Sequence, residues 1–226
     1  KLLYPDVYVR YIDVPQIPDP VAATVFWAGE VQRLLDDLGE ASGHRPSDGD
    51  LRHSIALYNE TRAMIRALYA LRRDRPWDVP TEELYLLLRA AESIPPEEFL
   101  ARARQYLAAV EADPRRPRDN SRVVVVGAFC EQPPLGLIKS IERAGCYIVD
   151  DDFLLGNRFL THDVPTDGDP VRALAGAFIR NDMASSVLYE TDPMGKRNLM
   201  KNRVAAAGAD WIIFATPSFC DPALLD

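Results

Sequence analysis

The sequence is poor in cysteine, and the few cysteines it has form no familiar motif. Only three occur among 226 residues, namely Cys130, Cys146 and Cys220. An odd number of widely spaced thiols argues against a disulfide scaffold and is typical of a protein in a reducing cytoplasm. Because no CxxC, ferredoxin or zinc-type spacing is present, any metal centre would need ligands from elsewhere in the protein.

Positive charge and long apolar runs are also scarce. The chain has 26 Lys and Arg against 34 Asp and Glu, a formal net charge of −8. Two small arginine clusters, which begin at Arg72 and Arg115, each lie at a helix end beside proline, and we expect them to be solvated. No segment approaches the roughly 20 apolar residues of a membrane span, and no signal segment opens the chain. We therefore expect neither nucleic acid nor a membrane as a partner.

Several common catalytic and nucleotide-binding motifs are missing as well. The sequence contains no GxGxxG, no P-loop and no GxSxG. Dinucleotide binding, ATP hydrolysis on a P-loop and serine hydrolysis therefore lack support.

The pattern of residues 1–118 is mostly helical. Residues 8–14 are β-rich and predict a strand, and apolar spacing then predicts four helices, at about 21–38, 51–73, 81–92 and 95–112. Proline and charge in residues 113–121 predict a linker that neither packs nor continues a helix, so we place a domain boundary between residues 118 and 119. We interpret residues 1–118 as the helix-rich end of an N-terminal α/β domain, in a chain that is a piece of a longer polypeptide.

The pattern of apolar residues changes in residues 119–226, from helical spacing to strands that alternate with helices. Four consecutive valines within residues 122–127 predict a buried parallel strand. Further strands are predicted at about 146–149 and 211–215, and helices at 134–144, 170–183 and 196–207. This alternation implies right-handed crossovers and a parallel, flavodoxin-like sheet. Because the chain stops soon after the third strand, we expect this domain to be truncated at its C-terminus.

Two of the cysteines follow predicted strands directly. Cys130 and Glu131 come after the first strand and before a Pro-Pro helix start, where the helix dipole would favour a thiolate. A small residue that merely fits the turn explains Cys130 equally well. Cys220 follows the third strand between two prolines, at the edge where open α/β sheets bind ligands. Cys146 begins a core strand and is expected to be a small apolar residue of the core.

Three aspartates, Asp150, Asp151 and Asp152, end the second strand. Such carboxylates repel one another when they are buried together, so at least one needs a cation, a donor or water. Arg158 follows closely and is the expected partner. The aspartates either bind a ligand or shape its site, or they form a solvated turn that caps a helix.

Two segments carry a resemblance to a known family. GAFCEQPPLGLIKSIERAGCYIVDDDF, at 127–153, and FCDP, at 219–222, resemble subunits of the benzoyl-CoA reductase and 2-hydroxyacyl-CoA dehydratase family, of the 2-hydroxyglutaryl-CoA dehydratase D-component type. The pattern CEQPP…DDDF is most similar to substrate-binding subunits of the ATP-dependent reductases. The resemblance runs over most of the chain.

The resemblance implies a cofactor. Family subunits have two flavodoxin-like domains and hold a [4Fe–4S] cluster with three cysteines. Cys220 matches the third of these ligands, and the other two would precede Lys1. Cys130 matches no ligand position. It and the remaining polar residues of the sheet edge would lie beside the cluster or the substrate; those residues are Glu131, Asp151, Asp152 and Arg158.

The resemblance also implies a reaction and partners. The reaction is the two-electron reduction of the aromatic ring of benzoyl-CoA to a cyclic dienoyl-CoA. The electrons would come from ferredoxin through ATP-hydrolysing iron–sulfur activator subunits, and a homologous second substrate-binding subunit would complete the complex. Three alternatives remain: dehydration of an (R)-2-hydroxyacyl-CoA through a ketyl radical, a subunit that only relays electrons or scaffolds its partner, and a cluster-free flavodoxin-like binding domain.

Overall fold

The computed structural model describes residues 7–15, 19–127, 133–153, 162–180 and 194–218, apart from the side chain of Lys196. Within these residues the chain forms seven helices and three strands. In chain order they are α1 (Pro20–Ser42), α2 (Asp48–Asp74), α3 (Thr81–Ala91), α4 (Pro96–Ala112), β1 (Ser121–Val126), α5 (Leu135–Arg143), β2 (Cys146–Asp151), α6 (Pro170–Ile179), α7 (Gly195–Ala207) and β3 (Trp211–Phe214). The predicted mixed α/β fold is confirmed, whereas the flavodoxin-like identity of the sheet stays a prediction.

The strands form one parallel sheet in the order β2-β1-β3. The central strand β1 carries four valines, Val123 to Val126, and all four are buried. A central parallel strand is covered on both faces, which is why this run shows no alternation. Burying each valine contributes about 1.5–3 kcal/mol before conformational entropy is subtracted.

The two faces of the sheet have separate hydrophobic clusters. On one face, Val123 and Val125 pack with Ile138 of α5, Tyr85 of α3 and Phe153. On the other face, the clustered residues are Val124, Val126, Val149 and Ala207 of α7. The sheet is therefore a middle layer between helices, the arrangement that the β-α-β pattern predicts.

The structure divides into two compact units, which are Lys1–Asn59 with His162–Asn181, and Glu60–Thr161 with Asp182–Asp226. In the first unit α1 packs on α6, and the rings of Trp27 and Phe178 stack with centroids 4.6 Å apart. The second unit contains the sheet. The boundary predicted between residues 118 and 119 stays a prediction about the domains of the protein.

Helices α1 and α6, which pack together in the first unit, begin in the same way. Asp19 accepts a hydrogen bond from the Val21 amide at 2.8 Å, and Asp169 accepts one from the Val171 amide at 2.9 Å. A proline occupies the first helical position after each cap. Such a side-chain cap satisfies an amide that the helix leaves unpaired, and proline has no amide to satisfy there.

The predicted strand at 8–14 is wrong, because no strand is present in the described residues 7–15. The segment finds no neighbouring strand there, and Tyr11 is 85% exposed. Its side chains bind a helix instead. The Tyr8 hydroxyl donates to Asp37 of α1 at 2.8 Å, and Arg10 forms an ion pair with the same carboxylate.

The predicted linker does end α4, but the expectation that it packs against nothing is wrong. The Arg115 amide donates to the buried Asp78 carboxylate at 2.6 Å, and its guanidinium donates to Glu83 at 2.7 Å. Arg115 is therefore tied to its neighbours rather than simply solvated. Among the described residues, no helix is both long and apolar enough to cross a bilayer.

The docking of α5 against α3 predicts a pH dependence. Glu142 of α5 accepts a hydrogen bond from the Thr81 amide at 2.8 Å, at the start of α3. Burial raises the pKa of this carboxyl, although the hydrogen bonds from Thr81 oppose the shift. A raised folded pKa means that the stabilising contribution of the group is full below its unfolded pKa and is lost as pH rises through the folded value.

Replacement of Glu142 by Gln should remove this dependence, because the amide keeps an acceptor for Thr81 but does not ionise. We expect the free energy of unfolding of E142Q, measured by urea denaturation between pH 4 and 8, to fall less with rising pH than that of the wild type. Glu97→Gln, on the exposed surface of α4, controls for the loss of one negative charge. Parallel pH profiles for E142Q and the wild type would contradict the prediction.

Candidate functional site

The candidate site lies at the carboxyl edge of the sheet, where the three strands end side by side. Val125 of β1 is in register with Asp151 of β2, and Val126 of β1 is in register with Phe214 of β3. Ligands of open parallel sheets bind outside this edge, because the connecting loops leave a crevice there. The polar residues that follow the strands are therefore those that a ligand would meet.

A β-bulge in β2 decides where the aspartates point. Val123 is in register with Ile148, but the next residue, Val124, is in register with Asp150, so Val149 is an extra residue. A bulge of this kind breaks the strict alternation of side chains and can re-aim those that follow. Asp150 consequently faces α7, and Asp151 faces α2.

Asp151 forms a buried polar cluster with residues of α2. One carboxylate oxygen lies 2.6 Å from a guanidinium nitrogen of Arg72, whose side chain is 1% exposed. The other accepts hydrogen bonds from the Tyr69 hydroxyl at 2.8 Å and from the Phe153 amide at 2.9 Å. The Arg72 guanidinium also lies 4.6 Å from the centroid of the Tyr69 ring, which adds a cation–π contact.

The ionisation states in this cluster follow from burial and charge. Burial lowers the pKa of Arg72, but the charges of Asp151 and its neighbours outweigh it and raise the net pKa. Burial and the negative charge of Asp151 raise the pKa of Tyr69 well above its ordinary value, so the phenol remains a donor. Asp151 thus has both oxygens engaged inside the protein, which suits a residue that shapes the edge.

Asp150 is paired with a different helix. Its carboxylate lies 2.8 Å from Nε of Arg203 on α7, and the same guanidinium donates to the Asp151 carbonyl. Burial lowers the pKa of Arg203, but Asp150 and the other aspartates raise it to a net value above normal. Two arginines from two helices therefore neutralise the first two carboxylates on opposite faces of the sheet.

Asp152 binds the end of the neighbouring strand. Both of its carboxylate oxygens lie 3.2 Å from the amide nitrogen of Gly127, the residue that follows β1. The start of α5 is held in a similar way, because the Tyr85 hydroxyl donates to the Pro133 carbonyl at 2.7 Å. The Tyr85 ring packs edge-on against Phe153, with centroids 5.9 Å apart. The loop ends at this edge thus have defined polar contacts.

Four of the predicted site residues lie outside the described residues: Cys130, Glu131, Arg158 and Cys220. Their predicted roles, including Cys220 as a cluster ligand, stay predictions. The described cysteine, Cys146, lies at the first residue of β2 and therefore at the opposite end of the strand. In the part of the chain that the structure describes, no group of His, Cys, Asp and Glu could hold a metal ion. The described residues therefore supply no complete ligand set for a cluster.

Sequence reasoning missed the cations that bind the aspartates. Arg72 was expected to be solvated, which is wrong, since it is buried against Asp151. A signal was present, because Ile65, Leu68 and Arg72 share one helical stripe, and the first two are apolar and buried. An arginine in such a stripe needs a buried acid. Arg203 offered no comparable signal, since α7 is not strongly amphipathic.

The parallel sheet with helices on both faces places the chain among the α/β proteins, a class in which ligands commonly bind where the strands end. The family model "2-hydroxyglutaryl-CoA dehydratase, D-component" matches residues 1–226, and the chain belongs to this family. This finding confirms the resemblance that the sequence carries.

Named relatives include both branches of the family. One of the subunits of benzoyl-CoA reductase from Thauera aromatica is 43% identical over 226 residues, which are 100% of this chain and 58% of the relative. The beta subunit of lactoyl-CoA dehydratase from Anaerotignum propionicum is 29% identical over 209 residues, 92% of this chain and 55% of the relative. The beta subunit of (R)-2-hydroxyglutaryl-CoA dehydratase from Acidaminococcus fermentans is 28% identical over 221 residues, 95% and 56% of the two chains. The chain thus spans little more than half the length of these relatives.

The buried ion pair of Arg72 and Asp151 gives a stability prediction. Replacement of Arg72 by Met should lower the free energy of unfolding by about 3–5 kcal/mol, because it leaves a buried carboxylate without its cation. Urea denaturation of the purified protein measures the change. Arg102→Met is the matched control, since Arg102 forms an exposed ion pair with Glu98 on α4 and such pairs contribute about 0–1 kcal/mol.

A second variant separates the charge from the packing. In the double variant R72M/D151N neither partner is charged, and the Asn side-chain oxygen can still accept from the Tyr69 hydroxyl and the Phe153 amide. We therefore expect part of the lost stability to return, because no charge is left buried alone. Equal losses for R72M and R102M would show that the buried pair has no special weight.

Proposed function

We propose that this chain is part of a substrate-binding subunit of a benzoyl-CoA reductase, an iron–sulfur oxidoreductase that reduces the aromatic ring to a cyclic dienoyl-CoA. The observation that carries the proposal is the 43% identity to a reductase subunit across all 226 residues. The two dehydratase subunits described above are 29% and 28% identical. A difference of this size favours the reductase branch.

The protein's own part in such a reaction is to hold an acyl-CoA thioester in a site that excludes water. A bound [4Fe–4S] cluster would supply single electrons at low potential, with Cys220 as one of its ligands. The ring would pass through a radical anion, and dipoles that are fixed before the reaction lower the energy of such an anion. The start of α5, where the described residues provide no side-chain cap, is a candidate for such a dipole near the thioester carbonyl.

The charge arrangement at the sheet edge supports this proposal. Asp150 and Asp151 are neutralised by Arg203 and Arg72 and are mostly buried. Two unpaired carboxylates beside a radical anion would raise its energy by repulsion. In our proposal these two aspartates keep the frame of the site rigid, while Cys130, Glu131, Asp152 and Arg158 line the space next to the substrate. Arg158 would then balance the charge of the carboxylates that remain there.

The proposed subunit acts within a complex in the cytoplasm. We propose a homologous second substrate-binding subunit, ATP-hydrolysing iron–sulfur activator subunits and ferredoxin as partners. All three relatives are themselves subunits of enzymes, which supports an assembly of several chains.

Dehydration of an (R)-2-hydroxyacyl-CoA through a ketyl radical is the second candidate function. It is favoured by the family description, which names a dehydratase, and by two of the relatives. Both reactions need a thioester and a single-electron donor, so the same fold can serve either.

The complex purified without oxygen should distinguish the two candidates. With a reductant, ATP and benzoyl-CoA, we expect a cyclic dienoyl-CoA to form. Mass spectrometry of the thioester products detects it. With (R)-2-hydroxyacyl-CoA esters we expect no enoyl-CoA above the rate without protein. If enoyl-CoA is the main product, the reductase proposal is wrong and the dehydratase function is supported instead.

Cysteine variants test the cofactor separately from turnover. Cys220→Ala in the full-length protein should lower the content of iron and acid-labile sulfide, because one cluster ligand is lost. Cys146→Ala is the matched control, since Cys146 begins β2, away from the carboxyl edge, and it should keep the wild-type content. If the wild type itself contains no iron, a cluster-free binding domain is supported instead. If C220A loses iron but its complex still binds the acyl-CoA and reduces it slowly, an electron relay is favoured.

A further inference from the structure

The chain approaches itself very closely at the carboxyl edge. A Cβ atom built on Gly127 would lie 2.3 Å from the carbonyl oxygen of Ala215 and 2.7 Å from its carbonyl carbon. Both atoms belong to the backbone, so rotation of a side chain cannot relieve the overlap. A side chain at position 127 would therefore force the two segments apart by about 1 Å, the distance still missing from an ordinary van der Waals contact.

The same point is fixed by hydrogen bonds on both sides. The Gly127 amide lies 3.2 Å from both Asp152 oxygens. The Ala215 amide donates to the Val126 carbonyl at 2.8 Å, and the Asp152 amide donates to the Val125 carbonyl at 3.3 Å. Gly127, Asp152 and Ala215, which we name the edge clamp, thus join the residues that immediately follow the three strands.

We propose that Gly127 and Asp152 are positioning residues, which set where the chain leaves β3 on its way to Cys220. This inference rests on the proposed function for the role of Cys220. Only four residues separate Ala215 from Cys220, and one of them is Pro217, whose φ is fixed. Because so few residues separate the two positions in the sequence, we expect a displacement at Ala215 to change the surroundings of the Cys220 thiol.

A full-length Gly127→Ala variant tests the proposal, with Gly136→Ala as the matched control. Gly136 lies in α5, and a Cβ atom there would have no described atom within 4 Å apart from those of its chain neighbours and of its own helix backbone. Both variants add one methyl group to a glycine near the same edge. The wild type and both variants are prepared without oxygen, stripped of iron with a chelator and exposed to iodoacetamide, and the alkylation rate of each cysteine is followed by peptide mass spectrometry.

In G127A we expect the alkylation rate of Cys220 to change by about tenfold, because thiol reactivity follows exposure and local electrostatics. The rate at Cys146, at the other end of β2, should stay as in the wild type. G136A should leave both rates unchanged. In the complete complex, kcat/KM for the thioester should fall by up to about a hundredfold in G127A, the effect of misplacing a catalytic site by 1 Å.

Two outcomes would overturn the proposal. One is an unchanged rate at Cys220 in a folded G127A protein. The other is an equal change at Cys146, since that would indicate general loosening of the fold. Asp152→Ala provides a second route should G127A fail to fold, because it breaks the clamp by loss of an acceptor; unchanged Cys220 alkylation in D152A then overturns the proposal.

The alkylation result does not depend on the reaction that the complex performs. A wild type that turns over neither thioester would refute the proposed function, while the rates at Cys220 and Cys146 would still report on the clamp. Conversely, an active complex in which G127A behaves as the wild type would refute the clamp alone.

Discussion

The carboxyl edge of the sheet depends on the buried ion pair between Arg72 and Asp151. The pair joins α2 to the last residue of β2, and neither side chain is open to solvent. In the described residues, two nitrogen atoms of the same guanidinium, Nε and one Nη, have no hydrogen-bond partner. Each such atom costs about 1–3 kcal/mol, so the pair contributes less to stability than its short distance suggests. The pair still ties α2 to the carboxyl end of β2, because either group without the other would be a buried charge with no partner.

Much of the second unit follows directly from the sequence. The valine run predicted β1 as a buried central strand, because only a strand covered on both faces lacks alternation. Proline and glycine predicted most helix limits to within a few residues, because these residues have narrow or unusual backbone preferences. The strand predicted at 8–14 failed for the opposite reason. β propensity describes a half-buried surface, whereas residues 8–14 are largely exposed and are not paired with any described strand.

The location of the candidate site was predictable from the sequence, but the ion pairs that its aspartates form were not. Three aspartates after a strand pointed to the correct edge, yet their cations come from α2 and α7, which are distant in sequence. Arg203 lies 53 residues from Asp150, and no local pattern links the two. The bulge at Val149 could not be predicted either. A run of consecutive apolar residues followed by consecutive acidic residues does not indicate which side chains face which side of the sheet. Register is decided by tertiary packing, which a single sequence does not encode in any short window.

The extra residue in β2 has a consequence for comparisons between relatives. Two homologues can carry the same run of acids and still present them to different helices if one of them lacks the bulge. An alignment that slides the run by one position would then equate an acid that faces α2 with one that faces α7. Structurally equivalent acids are therefore found by counting from the bulge rather than from the first aspartate. An arginine at the position of Arg72 indicates that the homologue, like this chain, directs one of its acids towards α2.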